Sequence, residues 1–236
     1  MSHFQFEQIG VIRSPYKEKF AVPRQPGLVK SVNGELHLLS PYNQADAVRG
    51  LEAFSHLWVI FVFHQTMEGG WRPTVRPPRL GGNARMGVFA TRSTFRPNPV
   101  GMSLVELRGI ACQKDQVILQ LGSLDLVDGT PIIDIKPYLP FAESLPNATA
   151  SYAQQAPQAE MSVSFTDEIE QQFPALEKRY PLLKTFIRDV LASAFDSAGQ
   201  RCSALRVLCL QDEIADHTLK CCAAQWPNAG WVILVA

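Results

Sequence analysis

Between residues 6 and 135 the chain alternates short β-branched and aromatic runs with turns, and no crossover helix separates one run from the next. Seven runs stand out: Phe6 to Ile12, Gly34 to Leu39, His56 to Phe63, Met86 to Ala90, Ser103 to Leu107, Val117 to Leu121 and Pro131 to Ile135. Most of the chain's 17 prolines and 15 glycines fall in or between these runs and punctuate them. Only Gln44 to Ala53 has helical character in this half, and it is brief. Parallel strands need long crossovers, so many short strands without them predict an antiparallel barrel or sandwich rather than a doubly wound sheet.

The pattern changes after about residue 150. Asp167 to Phe173 and Pro181 to Ala194 carry apolar residues at helical spacing, with Thr166 placed as an N-cap and acids in the first turn. The expected division is therefore a β-domain over 1–150 and a smaller helical or α/β unit over 159–236. No window approaches eighteen consecutive apolar residues, and the start of the chain lacks the basic and apolar segments of a secretory signal. A reducing, cytoplasmic location is the expectation, with the five cysteines as thiols. No His, Cys and acid spacing suggests a metal site, and no glycine-rich phosphate motif follows a strand.

The neutral formal charge conceals a cancellation. From Gly69 to Val105 there is no acid and no lysine, yet six arginines occur: Arg72, Arg76, Arg79, Arg85, Arg92 and Arg96. The remaining chain is net minus six. Arginine alone favours planar, bidentate contacts to phosphate or carboxylate, and Trp71 and Phe95 in the same stretch are candidates for stacking on bases. The competing reading is a solvated loop whose arginines pair with acids elsewhere.

Within the run, Thr91-Arg92-Ser93-Thr94-Phe95-Arg96-Pro97-Asn98-Pro99-Val100-Gly101 is stiffened by two prolines around Asn98. That rigidity suits a turn holding Arg92, Arg96 and Asn98 for a ligand, or simply a tight connection between strands. Asp128-Gly129-Thr130-Pro131 is a turn by composition, and Asp134 and Lys136 follow it two residues apart on one strand face. They read as an ion pair or as an acid/base pair. Arg13-Ser14-Pro15-Tyr16-Lys17 forms a turn after the first strand, and His56, next to Ser55, heads an apolar strand where a merely structural histidine is an equal reading.

Four of these strings resemble the TsaA-like (YaeB) family of tRNA methyltransferases: Ile12 to Tyr16, Gly82 to Phe89, Thr91 to Gly101 and Asp128 to Tyr138. The resemblance runs from Phe4 to about Ala192. It implies a mainly β fold, an antiparallel β-barrel with a smaller C-terminal unit, working as a homodimer on tRNA with S-adenosylmethionine. The implied product is the N6-methylated form of threonylcarbamoyladenosine beside the anticodon of a threonine tRNA. By matched position, Ser14, Pro15, Tyr16, Ser55, His56, Met86, Arg96, Asp128, Gly129, Thr130 and Pro131 would hold the cofactor. Arg92, Asn98, Asp134 and Lys136 would lie near the transferred methyl, with Asp134 as the candidate base. Arg72, Arg76 and Arg79 sit in the run but outside the cofactor strings, and are expected on RNA phosphates.

The resemblance stops after about Phe195. Residues 196–236 hold four of the five cysteines and end on six apolar residues, the pattern a frame change would leave. Two rival functions remain: a non-catalytic RNA-binding module using the arginine run, and a small-molecule methyltransferase on the same barrel. The first has no use for the non-basic strings at Ser14 to Tyr16 and Asp128 to Pro131.

Overall fold

The structure, a computed structural model, describes residues 3–17, 19, 22–23, 25–27, 32–155, 164–185 and 187–188, with the backbone of 207–210 and 232–235. Two compact units divide the chain at Ala156 and Pro157. In the first, six strands close into an antiparallel barrel in the order β1-β2-β7-β6-β3-β8. They are β1 (Gly10–Arg13), β2 (Asn33–Leu38), β3 (His56–Val62), β6 (Val100–Gln113), β7 (Gln116–Gly122) and β8 (Pro131–Pro137). β4 (Thr74–Val75) and β5 (Met86–Gly87) form a small separate hairpin inside the β3–β6 connection.

Alternation builds the barrel. Along β3, Leu57, Val59 and Phe61 are buried while His56, Trp58, Ile60 and Val62 turn outward. Leu57 and Val59 join Ile12, Leu36, Val105, Leu119, Leu121 and Ile132 as fully enclosed side chains of one core. Each contributes about 1.5–3 kcal/mol by leaving water. Closure also removes the sheet edges that would otherwise invite pairing with another chain.

Register fixes which connections share an end. β1 runs out at Arg13, β7 at Gly122 and β3 at Val62, beside the first residues of β2, β8 and β6. The described residues among 14–32, with 63–99 and 123–130, therefore gather at one end, the mouth. The β2–β3 connection, the β6–β7 hairpin and the chain beyond Pro137 mark the opposite rim. Leu124 and Leu126, although in a connection, are buried and close the core beneath the mouth. Gly34 admits this plug: a Cβ there would collide with the Leu124 side chain and stand 2.9 Å from the Arg13 carbonyl oxygen.

Several sequence expectations change. Residues 45–53 form two short 3-10 turns, Ala45–Val48 and Leu51–Ala53, because Gly50 between them takes φ +84 and breaks the helical path. Met86 to Ala90 is strand only at Met86–Gly87, then turns through Val88–Ala90 to bury Val88. Phe4 and Phe6 are exposed, and β1 begins only at Gly10. Ser103 to Leu107 is part of a fourteen-residue strand that serves β3 with one half and β7 with the other, its register shifting between Leu107 and Gly109.

After α1 (Pro140–Glu143), the second unit contains α2 (Asp167–Glu170) and α3 (Phe173–Arg179). Phe173 and Ile187 are buried there with Phe165, Ile169 and Leu183 packed against them. Thr166 stands at the N-cap position of α2, and its carbonyl accepts from the N–H groups of Ile169 and Glu170. β9 (Val207–Leu210) and β10 (Val232–Val235) pair in parallel. The expected helix over 181–194 lies partly, and the cysteine-bearing tail largely, outside the described residues.

Candidate functional site

Two segments from opposite ends of the first unit's sequence are knitted together at the mouth. The Ser14 N–H donates to Asp128 Oδ1 at 3.0 Å, and the Ser14 hydroxyl donates to the Leu126 carbonyl at 2.8 Å. In return the Asp128 N–H donates to the Tyr16 carbonyl and the Gly129 N–H to the Ile12 carbonyl, both at 2.8 Å. Gly129 takes φ +78, a conformation that favours glycine and lets the turn double back. Thr130 is buried and closes the same turn, its hydroxyl donating to the Val127 carbonyl at 2.7 Å. Ser14, Pro15, Tyr16, Asp128, Gly129, Thr130 and Pro131 are thus one structural unit.

Asp128 is held as a carboxylate. Burial opposes its charge, but hydrogen bonds from Lys17 and Ser14 and the charges of Lys17 and Arg13 outweigh this and keep the carboxyl below its ordinary range. Lys17 Nζ lies 2.9 Å from Asp128 Oδ2. A cleft of about 640 Å³ opens beside the junction, lined by Ser14, Pro15 and Asp128 and by the cations Arg13, Lys17 and Arg108.

The arginine run arches over the same end. Arg96 Nη1 donates to the carbonyls of Val88 at 3.2 Å and Thr91 at 2.7 Å, and its guanidinium lies 5.6 Å from the centre of the Phe89 ring. These contacts fix the arginine while its Nε and Nη2 hydrogens have no hydrogen bond among the described residues. Arg92 is exposed and donates to Gln25 Oε1 at 2.7 Å. Arg72 lies 4.7 Å over the Phe95 ring, and Arg79 donates to the Gln155 carbonyl. Among the described residues none of the six arginines enters an ion pair, which disfavours the reading that they pair with acids elsewhere. Asn98 is exposed on the proline-bracketed turn and Met86 lies on the small hairpin. Trp71 is 57% and Phe89 74% exposed, so Phe89 joins Trp71 as a stacking surface, while Phe95 is covered by Arg72.

The remaining predicted residues lie elsewhere on the barrel. Asp134 and Lys136 are on the outer wall, with Lys136 Nζ 2.9 Å from Asp134 Oδ2, and the Ile135 N–H donates to Asp134 Oδ1 at 2.9 Å. The structure therefore supplies the ion-pair geometry of the two sequence readings. Ser55 and His56 are at the opposite rim, hydrogen-bonded to each other at 2.9 Å, with Tyr138 edge-on to His56. One chain does not bring these four residues to the mouth.

One acid at the mouth escaped the sequence reading. Asp125 stands between the core leucines Leu124 and Leu126 and hydrogen-bonds to Ser103, itself buried. Its Oδ1 is shielded from solvent and has no hydrogen-bond partner among the described residues. Burial pushes this carboxyl up to about 6 against the opposing effects of Ser103, a backbone hydrogen bond and the charge of Arg92. The signal was present as an acid flanked by two leucines, three residues before the Asp128 turn.

Comparison with known proteins follows the same geometry. The sequence profile of the tRNA-methyltransferase O N-terminal domain matches residues 11–144, more than half of the chain. A tRNA (adenine(37)-N6)-methyltransferase of Escherichia coli K12 is 84% identical over 192 residues, 81% of this chain and 82% of that protein. The mouse protein of the same name is 36% identical over 162 residues, 68% of this chain and 36% of its own. The crystal structure of TrmO from Pseudomonas aeruginosa superposes with a TM-score of 0.68 at 38% identity, covering 81% of this chain and 82% of that one. Barrel, mouth junction and arginine-bearing connection all fall within the matched span, and the chain belongs to the tRNA-methyltransferase O family.

Proposed function

We propose that this chain uses S-adenosylmethionine to methylate the N6 nitrogen of adenosine 37 in tRNA, and that the adenosine acted on carries a threonylcarbamoyl group in threonine tRNA. The observation that carries the reading is the meeting, at one barrel end, of the Ser14–Asp128 junction with an acid-free connection bearing six arginines. The first suits a small cofactor and the second a polyanion. The relatives named for adenine-37 methylation supply the reaction.

The residues present fit the cofactor. Its carboxylate suits the unused donors of Arg96, its adenine suits the exposed Pro15 and Phe89 surfaces, and its cationic groups suit the carbonyl-rich turn at Val127 to Thr130. When bound, the cofactor supplies an electrophilic methyl group. The chain's own work is to orient cofactor and base, because in-line approach contributes much of such a reaction's rate. Arg72, Arg76 and Arg79 hold RNA phosphates in this reading, with Trp71 available to stack on an unpaired base.

The chain works as a cytoplasmic homodimer in this proposal. A second copy would bring Ser55, His56, Asp134 and Lys136 to a mouth that a single chain leaves without them. The outward side chains Ile60, Met102 and Leu104 on adjacent strands offer apolar surface for it, Met102 being 51% exposed. No described helix is long and apolar enough to cross a membrane, and no group of His, Cys, Asp and Glu among the described residues is arranged to hold a metal.

Calorimetry with S-adenosylmethionine, followed by label transfer to bulk tRNA, tests the reading. Micromolar or tighter cofactor binding with label in tRNA is expected. RNA binding without cofactor binding would leave the RNA-binding module, and cofactor binding without tRNA labelling would leave the small-molecule enzyme.

A further inference from the structure

The cleft beside the mouth junction, about 640 Å³ in volume, is large enough for a small ligand, and its floor is made of paired strands. Ile12, Leu36 and Leu119 point into the core, so Arg13, Glu35 and Gln120 face outward in one row across β1, β2 and β7. Arg108 of β6 reaches the same cleft by crossing Gly122, where a Cβ would collide with its Nε. Its donors are in use: Nε donates to Glu106 Oε2 at 2.9 Å, Nη2 lies 2.9 Å from the same oxygen, and Nη1 donates to Asn33 Oδ1. Lys17 is spent on Asp128, and Glu35 turns to His37 Nε2 at 2.7 Å. Each acid of this surface thus has a partner that is not Arg13. Although Glu35 stands opposite it in register, the exposed Arg13 guanidinium makes no hydrogen bond or ion pair among the described residues.

Resting on the methyltransferase reading, we propose that this cleft is a second contact site for the tRNA, in which Arg13 holds one oxyanion and Gln120 supplies a neighbouring amide. Acids stand among the cations of this surface, so it does not suit the row of phosphates that the acid-free run suits. It offers instead one planar fork of N–H donors on a paired strand, and that geometry matches a single oxyanion. A backbone phosphate and the threonyl carboxylate of the modified base share this chemistry, and the tRNA carries both. Ser14 and Asp128 line the cleft and also tie the mouth junction, so RNA seated at the mouth lies beside it. Arg13 belongs to β1 and is separate in sequence from the arginine run, so its contribution can be removed without touching that run.

The test uses the full chain, S-adenosylmethionine, and threonine tRNA prepared with and without the threonylcarbamoyl group. Arg13→Gln removes the charge and the fork at an exposed position, and tRNA affinity falls roughly tenfold or more. Arg13→Glu falls further, because a repelling charge then faces the oxyanion. Cofactor affinity by calorimetry stays within about twofold. If a phosphate occupies the cleft, both tRNAs lose affinity equally and the slope of log affinity against log salt drops by about 1. If the threonyl carboxylate occupies it, the loss is confined to the modified tRNA. Unchanged affinity for both tRNAs in both variants overturns the proposal. Lost cofactor affinity in Arg13→Gln also overturns it, by placing the arginine on the cofactor. An unmutated chain that transfers no label to tRNA would instead overturn the reading beneath it.

Discussion

Asp128 Oδ1 accepts the backbone N–H of Ser14 at 3.0 Å across 114 residues of chain, and this bond ties the first loop of the barrel to the last turn before β8. Asp128→Ala leaves the Ser14 N–H and Lys17 without their partner. The expected cost is roughly 1–2 kcal/mol of stability together with weaker cofactor binding. Because the carboxyl is held below its ordinary range, its stabilising contribution is complete above about pH 4 and fades as pH falls through its folded value. Denaturant titrations at pH 7 and pH 3 should therefore separate Asp128→Asn from the unmutated chain at the first pH and draw them closer at the second.

Arg96→Ala should weaken S-adenosylmethionine binding by roughly 1.5–3 kcal/mol, the worth of a charge-assisted hydrogen bond. Its contacts to Val88 and Thr91 already fix the guanidinium, so little ordering remains to be done on binding. Calorimetry on a variant with an unchanged melting curve checks this, and unaltered affinity would remove Arg96 from the site.

Replacing Arg72, Arg76 and Arg79 together by glutamine should weaken tRNA binding and reduce the slope of log affinity against log salt by about 2, near 0.7 for each lost phosphate contact on a single strand. Cofactor affinity should not move. A slope that stays the same means the run is a solvated loop.

Asp125 carries an opposite pH signature to Asp128. Its folded value is raised to about 6, so the fold favours the protonated form. Its contribution is fully present below about pH 4 and lost as pH rises through about 6. Asp125→Asn, which never ionises, should be more stable than the unmutated chain by roughly 1–3 kcal/mol at pH 8 and equal to it near pH 4. Melting curves at the two pH values give the comparison, and a loss of stability at both would place the carboxylate in a structural network.

The barrel was legible wherever one face of a strand is buried. Leu57, Val59 and Phe61 alternate with outward residues, and that period of two is visible without coordinates. The β4–β5 hairpin was not, because two-residue strands carry no period. Gln44 to Ala53 misled because its composition suits a helix, while Gly50 at φ +84 decides the path. The site was half legible. Resemblance picked out the Ser14 and Asp128 strings, and only register shows that they meet. Gly101 illustrates a requirement set by a distant strand: a Cβ there would press into the rings of Phe61, at 2.6 Å from Cε2, and Phe63, at 2.8 Å from Cζ. Asp125 was passed over because its burial depends on β6, far from it in sequence.

The central claim is best tested by identifying the product. The chain is incubated with tRNA and S-adenosylmethionine labelled in the methyl group, and the RNA is digested to nucleosides and separated. The account predicts label in a single nucleoside, N6-methylated threonylcarbamoyladenosine from position 37, and none when the tRNA lacks the threonylcarbamoyl group. Label in unmodified adenosine would contradict the substrate, and label in another base, or in no nucleoside at all, would contradict the function.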